Sequence, residues 1–257
     1  MLAVSEEKAV FIKTRNLETG FGETQILFGI DLDVYRGETL MLLGGSGGGK
    51  TVLIKQFIGL LQPWSGSVEV EGVEISRLKE RELTPIRRKV SMMFQNGALF
   101  DSLTVGQNVA FPLRESGMND EERIERRVNE ALDIVKLPGH FDKMPSDLSG
   151  GMRKRVALAR AVVERPACIL FDEPHAGLDP VTADSIDHLI KSLELDHGIT
   201  NVVVTHEMRS VFRIATRVVY MEKGKIYWTG TPKELKETDD PKLRNFIEGR
   251  SHEGAWD

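Results

Sequence analysis

The amino-acid sequence predicts an α/β protein with a parallel sheet at its centre and a second, helical lobe. Three observations carry that expectation. The run Thr39-Leu40-Met41-Leu42-Leu43 is apolar without alternation, as in a strand covered on both faces, and it leads straight into a glycine-rich turn. Apolar runs at 168–171 and 201–204 flank a helical pattern over about 181–195, and strands alternating with helices imply parallel pairing. From about residue 96 to 160 charged helical segments dominate, which predicts an inserted lobe.

Each element follows in order. Val10-Phe11-Ile12-Lys13-Thr14, Ile30-Asp31-Leu32-Asp33-Val34 and Val68-Glu69-Val70-Glu71 carry partly alternating patterns of short strands. Gly20, Gly22, Gly37, Gly66 and Gly72 punctuate them. A helix is expected from Val52 to about Leu61. In the insert, Ile124, Val128, Ala131, Leu132 and Val135 share one helix face, with Glu and Arg opposite. Near the end, 218–222 and 225–228 flank Lys223-Gly224 as a hairpin.

Composition narrows the function. The 257 residues hold 34 Lys and Arg against 39 Asp and Glu, a net charge of -5, which gives no support to a nucleic-acid binder relying on a global positive field. The single cysteine, Cys168, lies in an apolar run and reads as a buried small hydrophobe in a reducing compartment. No stretch approaches the roughly 20 apolar residues that cross a bilayer. The start, MLAVSEEKAVFIKTRN, lacks a basic segment followed by an apolar block, so no secretory leader is expected. A soluble, cytoplasmic chain is expected; if it powers transport, other chains supply the membrane path.

The chemistry is concentrated in a few motifs. Gly44-Gly45-Ser46-Gly47-Gly48-Gly49-Lys50-Thr51 fits G-x-x-x-x-G-K-[ST] between a buried-type strand and a helix. Its glycines let consecutive N–H groups face phosphate oxygens at the positive end of the helix. Lys50 is expected to reach the outer phosphates, and the Thr51 hydroxyl to ligate Mg²⁺. The run Ile169-Leu170-Phe171 ends in Asp172-Glu173. Two acids at a strand end can simply be solvated; beside a phosphate loop, Asp172 is expected to hold Mg²⁺ through its water shell, and Glu173 to orient or deprotonate water. A lone histidine after a strand is ordinarily structural, yet parallel strands feeding one crevice bring His206 toward the phosphates. Ser149-Gly150-Gly151 before a helix is a second anion loop, or an ordinary cap. Two phosphate loops with one carboxylate pair predict two copies arranged head to tail, each closing the other's nucleotide site.

Together these motifs resemble the ABC transporter ATPases over nearly the whole chain. The resemblance implies a P-loop NTPase (RecA-like) core with an N-terminal antiparallel β subdomain and an inserted α-helical subdomain. The core with its β subdomain is expected over 9–95 and 161–230, the helical lobe over 96–160 and a tail over 231–257. Gly44 to Thr51 is then the Walker A loop, 169–172 the Walker B strand, and Glu173 the catalytic acid. Leu148-Ser149-Gly150-Gly151-Met152 matches the signature, Ala176-Gly177-Leu178-Asp179 the D-loop, and Gln95 the Q-loop residue that senses Mg²⁺ and contacts the membrane partner. His206 matches the switch histidine, and Phe21 stands where a tyrosine usually stacks on adenine. ATP and Mg²⁺ are the implied ligands.

Departures from the family pattern are Met152 for the usual Gln, the extra Gly48, and His175 where Thr or Ser is common. None removes a reacting group. Finer similarity is to the ATPases of bacterial lipid transporters built around MCE proteins, the Mla type. It rests on the signature, on Ser91-Met92-Met93-Phe94-Gln95-Asn96-Gly97-Ala98-Leu99-Phe100, on Phe111-Pro112-Leu113-Arg114-Glu115 and on Phe246-Ile247-Glu248-Gly249. That similarity implies a homodimer with transmembrane permease subunits and an MCE-type lipid-binding protein, at the cytoplasmic face of the inner membrane. An importer ATPase for amino acids or other polar solutes shares every ATP-handling motif, and a non-transport ABC ATPase is the remote alternative. Leu99 and Phe100 are expected to dock the permease, or else to pack inside the helical lobe.

Overall fold

Residues 9–250, the part described by this computed structural model, open with two twelve-residue strands, β1 (Val10–Phe21) and β2 (Thr24–Tyr35). They pair antiparallel about Gly22-Glu23, where Gly22 takes φ 57°, open to glycine without a Cβ penalty. Both strands run well past the short segments expected from alternation. Bulges near Asn16 shift the register and break the period of two that makes a strand visible in sequence.

β3 (Thr39–Leu43) and helix α1 (Lys50–Gln56) follow, then β4 (Ser65–Val70) and β5 (Val73–Glu74). The last two complete an antiparallel sheet of order β2-β1-β4-β5. α1 ends at Gln56, short of the expected Leu61, because Gly59 turns left-handed at φ 63° and the Leu60 N–H closes back on the Lys55 carbonyl at 3.0 Å.

α2 (Glu80–Lys89) and β6 (Val90–Met93) lead into the helical stretch of α3 (Val105–Glu115), α4 (Glu121–Ile134) and α5 (Gly150–Val162). Ile124, Val128, Ala131 and Leu132 form the buried face of α4, as the periodicity predicts. β7 (Cys168–Asp172), α6 (Pro180–His197), β8 (Thr200–Val204), α7 (Met208–Ile214), β9 (Arg217–Glu222) and β10 (Lys225–Gly230) complete the core, and α8 (Pro232–Lys236) and α9 (Pro241–Glu248) lie in the tail. Residues 1–8, at the start where no secretory leader is expected, and the last tail residues, 251–257, lie outside the described residues. Among the described residues no helix is long and apolar enough to cross a membrane.

The second sheet has order β10-β9-β3-β8-β7-β6, parallel except for the edge strand β10. Its side chains alternate between two cores. Leu40, Leu42, Leu170, Val202 and Val204 face α1 and the antiparallel sheet; Met41, Leu43, Ile169, Phe171 and Val203 face α5 and α6. Burying each such side chain contributes about 1.5–3 kcal/mol, so the register of the sheet is strongly determined. In that register Leu42, Val204 and Asp172 stand side by side, and β3, β8 and β7 discharge their loops at one edge.

Candidate functional site

At that edge the loop after β3 bends through conformations that need glycine. Gly44 has φ 140°, and a Cβ there would lie 2.0 Å from the Met221 carbonyl oxygen; at Gly49, φ 90°, it would lie 2.6 Å from Leu27 Cδ2. The loop thus wedges between β9 and β2. Buried Lys50 folds back over it, its Nζ donating to the carbonyls of Gly44 at 2.8 Å and Gly45 at 2.9 Å. Burial pushes the Lys50 pKa down, and Glu173 and Asp172 oppose that shift.

The Thr51 hydroxyl donates to Asp172 Oδ1 at 2.7 Å. One residue on, Glu173 leaves the strand with φ 50°, a left-handed conformation rare for a residue with a Cβ, while its N–H bonds the Val204 carbonyl at 3.0 Å. Glu173 Oε1 lies 3.0 Å from His206 Nε2. Burial raises the Glu173 pKa; His206 and Lys50 pull it back, and Asp172 adds to the rise.

A cleft of about 500 Å³ gathers Ser46, Gly47, Gly48, Gly49, Lys50, Thr51, Gln95, Glu173 and His206, with Ile26 of β2 on its wall. Gln95, just past β6, offers its carbonyl to Lys154 of α5. Arg160 of the same helix donates to the carbonyls of Gly97 at 2.6 Å and Ala98 at 2.7 Å. The segment after β6 is therefore strapped to α5 by two cations.

Five expected residues lie elsewhere. Phe21 ends β1 with 54% of its surface exposed and does not line the cleft. Ser149 caps α5, accepting from the Met152 N–H at 3.3 Å. Gly150 and Gly151 follow it, and a Cβ on Gly151 would come 2.4 Å from Thr182 Cγ2. Asp179 caps α6 through the N–H groups of Val181 and Thr182, both at 3.0 Å. Sequence reasoning missed Ile26 and Lys154. Lys154 was discoverable, because a lysine on the same face of α5 as Ala157, Leu158 and Ala161 is buried, and a buried lysine needs a partner.

The donors suit a nucleotide with its metal. Thr51 and Asp172 present hard oxygens of the kind Mg²⁺ prefers, and the loop offers amides and a lysine to phosphate. A parallel sheet, this loop between strand and helix, and an inserted helical lobe define a P-loop NTPase.

The sequence profile described as ABC transporter matches residues 27–176, and the chain belongs to that family. It is 42% identical over 218 residues to the methionine import ATP-binding protein MetN of Brucella abortus, an alignment covering 85% of this chain and 59% of MetN. The chain thus spans little more than half the length of that relative. It is 38% identical over 240 residues to the intermembrane phospholipid transport system ATP-binding protein MlaF of Haemophilus influenzae, covering 93% and 91% of the two chains. Among solved structures it resembles the dimeric post-hydrolysis state of the ATP-binding cassette MJ0796 bound to ADP and Pi, with TM-score 0.78, 32% identity, and coverage of 86% of this chain and 98% of that one.

Proposed function

We propose that the chain binds and hydrolyses ATP as the nucleotide-binding subunit of a transporter. One observation carries this reading: Glu173 and His206 meet at 3.0 Å beside the lysine-bearing phosphate loop. The amides of 46–51 and Lys50 bind the phosphates. Thr51 and Asp172 would hold Mg²⁺, which when bound neutralises phosphate charge. Glu173 accepts the proton of the attacking water as its oxygen bonds the γ-phosphorus and the β–γ bridge breaks, giving ADP and phosphate. His206 holds Glu173 in place and faces the same phosphate, and Gln95 closes the cleft from the helical side.

The assembly is a homodimer in which Ser149, Gly150, Gly151 and Asp179 of one copy close the cleft of the other. Support comes from their placement away from their own cleft and from the dimeric MJ0796 cassette. The exposed ring of Phe21 is left for adenine, as the family resemblance implies, although it does not line the cleft. Residues 9–95 and 161–230 handle ATP, 96–160 dock permease subunits, and 231–257 form the tail. Phe100, 42% exposed and tilted against Phe111 at 4.8 Å between ring centroids, supports docking, whereas Leu99 packs against the core. The match to MlaF over 93% of this chain and 91% of that one favours phospholipid or a related lipid as cargo, with an MCE-type partner at the cytoplasmic face of the inner membrane.

A second reading, import of a polar solute such as an amino acid, is supported by the likeness to MetN. Phosphate release by the purified chain, abolished by EDTA, tests the ATPase. Lipid analysis of the complex isolated with its permease tests the cargo: bound phospholipid is expected, and an amino-acid-stimulated ATPase without lipid would favour the second reading.

A further inference from the structure

His175, singled out in the sequence as a departure, sits two residues beyond Glu173 in a tight loop. The Ala176 N–H bonds the Glu173 carbonyl at 3.2 Å, and the Leu178 N–H bonds the His175 carbonyl at 3.1 Å. Pro174 between them restricts the backbone further. The imidazole is 8% exposed and turns inward, under the cleft. Its Nε2 lies 2.7 Å from Oδ1 of Asp187, a carboxylate on α6 that is 2% exposed. A carboxylate only accepts, so the proton of this bond resides on Nε2. The other nitrogen, Nδ1, lies 3.3 Å from the hydroxyl oxygen of Thr205, the residue immediately before His206. Thr205 is fully buried, and the same hydroxyl oxygen accepts the Glu207 N–H at 3.0 Å, fixing the turn from which His206 projects. Ser210 of α7 closes the group with Oγ 3.5 Å from Nε2.

We infer that His175 and Asp187 form a buried positioning pair that holds the Glu173-bearing loop and the His206-bearing turn in register with α6. The inference rests on the ATPase reading for its kinetic consequence, but the tether itself is a matter of structure. Glu173 and His206 leave different strands, and their 3.0 Å contact is half-exposed on the histidine side. One short contact at a wet surface does not hold two loops in place. The pair beneath it does, since both partners are shielded from water and a lone buried carboxylate is strongly disfavoured. Among the described residues the phosphate loop of 44–51 makes no hydrogen bond to this group, whose one link to that side is the Thr205 N–H donating to the Leu42 carbonyl of β3 at 3.4 Å. Loss of the tether therefore affects the chemical step and spares nucleotide binding.

The test compares His175→Ala, Asp187→Ala and Asp187→Asn with the unaltered chain in the assembled complex. The alanine variants are expected to lose about 10- to 100-fold in kcat, the scale of a misplaced reacting group, with the ATP dissociation constant within about threefold. Asp187→Asn retains an acceptor oxygen and recovers part of the rate. Should the single alanine variants fail to fold, the double variant His175→Leu with Asp187→Leu replaces the buried pair by apolar volume and carries the same expectation. Hydrogen exchange supplies a readout that needs no ATPase: amides of 174–178 and 205–210 should exchange faster together in the variants, with β3 and α1 unchanged. Unchanged exchange in both loops overturns the tether, and so does unchanged kcat in a folded alanine or double-leucine variant. An unaltered chain that releases no phosphate, with exchange still rising in both loops, would overturn the ATPase reading and leave the tether standing.

Discussion

Two glycine loops face opposite circumstances in this molecule. The loop of 44–51 is hemmed in by its own chain: Gly44 lies against Met221, Gly49 against Leu27, and two carboxylates stand behind Lys50 and Thr51. The loop of 149–151 has no carboxylate pair; Ser149 caps its own helix, and Gly151 rests on Thr182 beside Asp179. The first loop has what it needs to hold a phosphate and little room for change. The second presents amides and a hydroxyl with no reacting group beside them, which supports the proposal that it serves a second copy.

The sharpest way to break this comparison is to disable the first loop. Lys50→Ala should remove ATP binding and hydrolysis together, while Glu173→Gln should keep binding and lower hydrolysis by roughly 10²-fold or more, the scale of a lost general base. Nucleotide affinity and turnover measured side by side check both, and normal turnover in Glu173→Gln would put the base elsewhere.

The second loop is tested by mixing. Chains carrying Lys50→Ala and chains carrying Ser149→Arg are each expected to be inactive, whereas their heterodimer regains one intact composite site that occludes nucleotide. Verified heterodimers without occlusion would show that the loops are not shared.

A smaller effect is expected at the lobe. Phe100→Ala should weaken assembly with the permease by about 2 kcal/mol, as for a central aromatic contact, while the isolated chain keeps its fold and ATP affinity. Complex yield at graded protein concentration reads this directly. Smallest of all, Ser149→Ala removes a helix cap worth about 1 kcal/mol and should lower Tm by about 2–4 °C. A loss of nucleotide occlusion well beyond that stability change would separate the loop's shared role from its capping role.

Much of the site was legible because the chain states it locally. An unbroken apolar strand before Gly44 and another before Asp172 each announce a buried parallel strand, and residues at such strand ends converge on one edge. What depended on distant partners was not legible. β1 and β2 hide their length behind bulges, and α1 is cut short by a turn at Gly59. His175 was visible as an oddity, but its meaning requires Asp187 twelve residues on and Thr205 thirty residues on. Ile26 gave no signal, since one isoleucine in a strand reads as core wherever it points.

The straps across α5 have a mechanical consequence. Lys154 and Arg160 grip the carbonyls of Gln95, Gly97 and Ala98, while Asn108 takes both backbone groups of Phe100, at 2.8 Å and 3.0 Å. Ser149 stands at the head of the same helix. The patch at Phe100 and the loop at Ser149 are thus two ends of one lever, with Gln95 near its pivot. A displacement at Phe100 therefore travels along α5 as well as through Asn108 of α3, and under the proposed sharing of nucleotide between two copies it would reach the partner's site as well as its own.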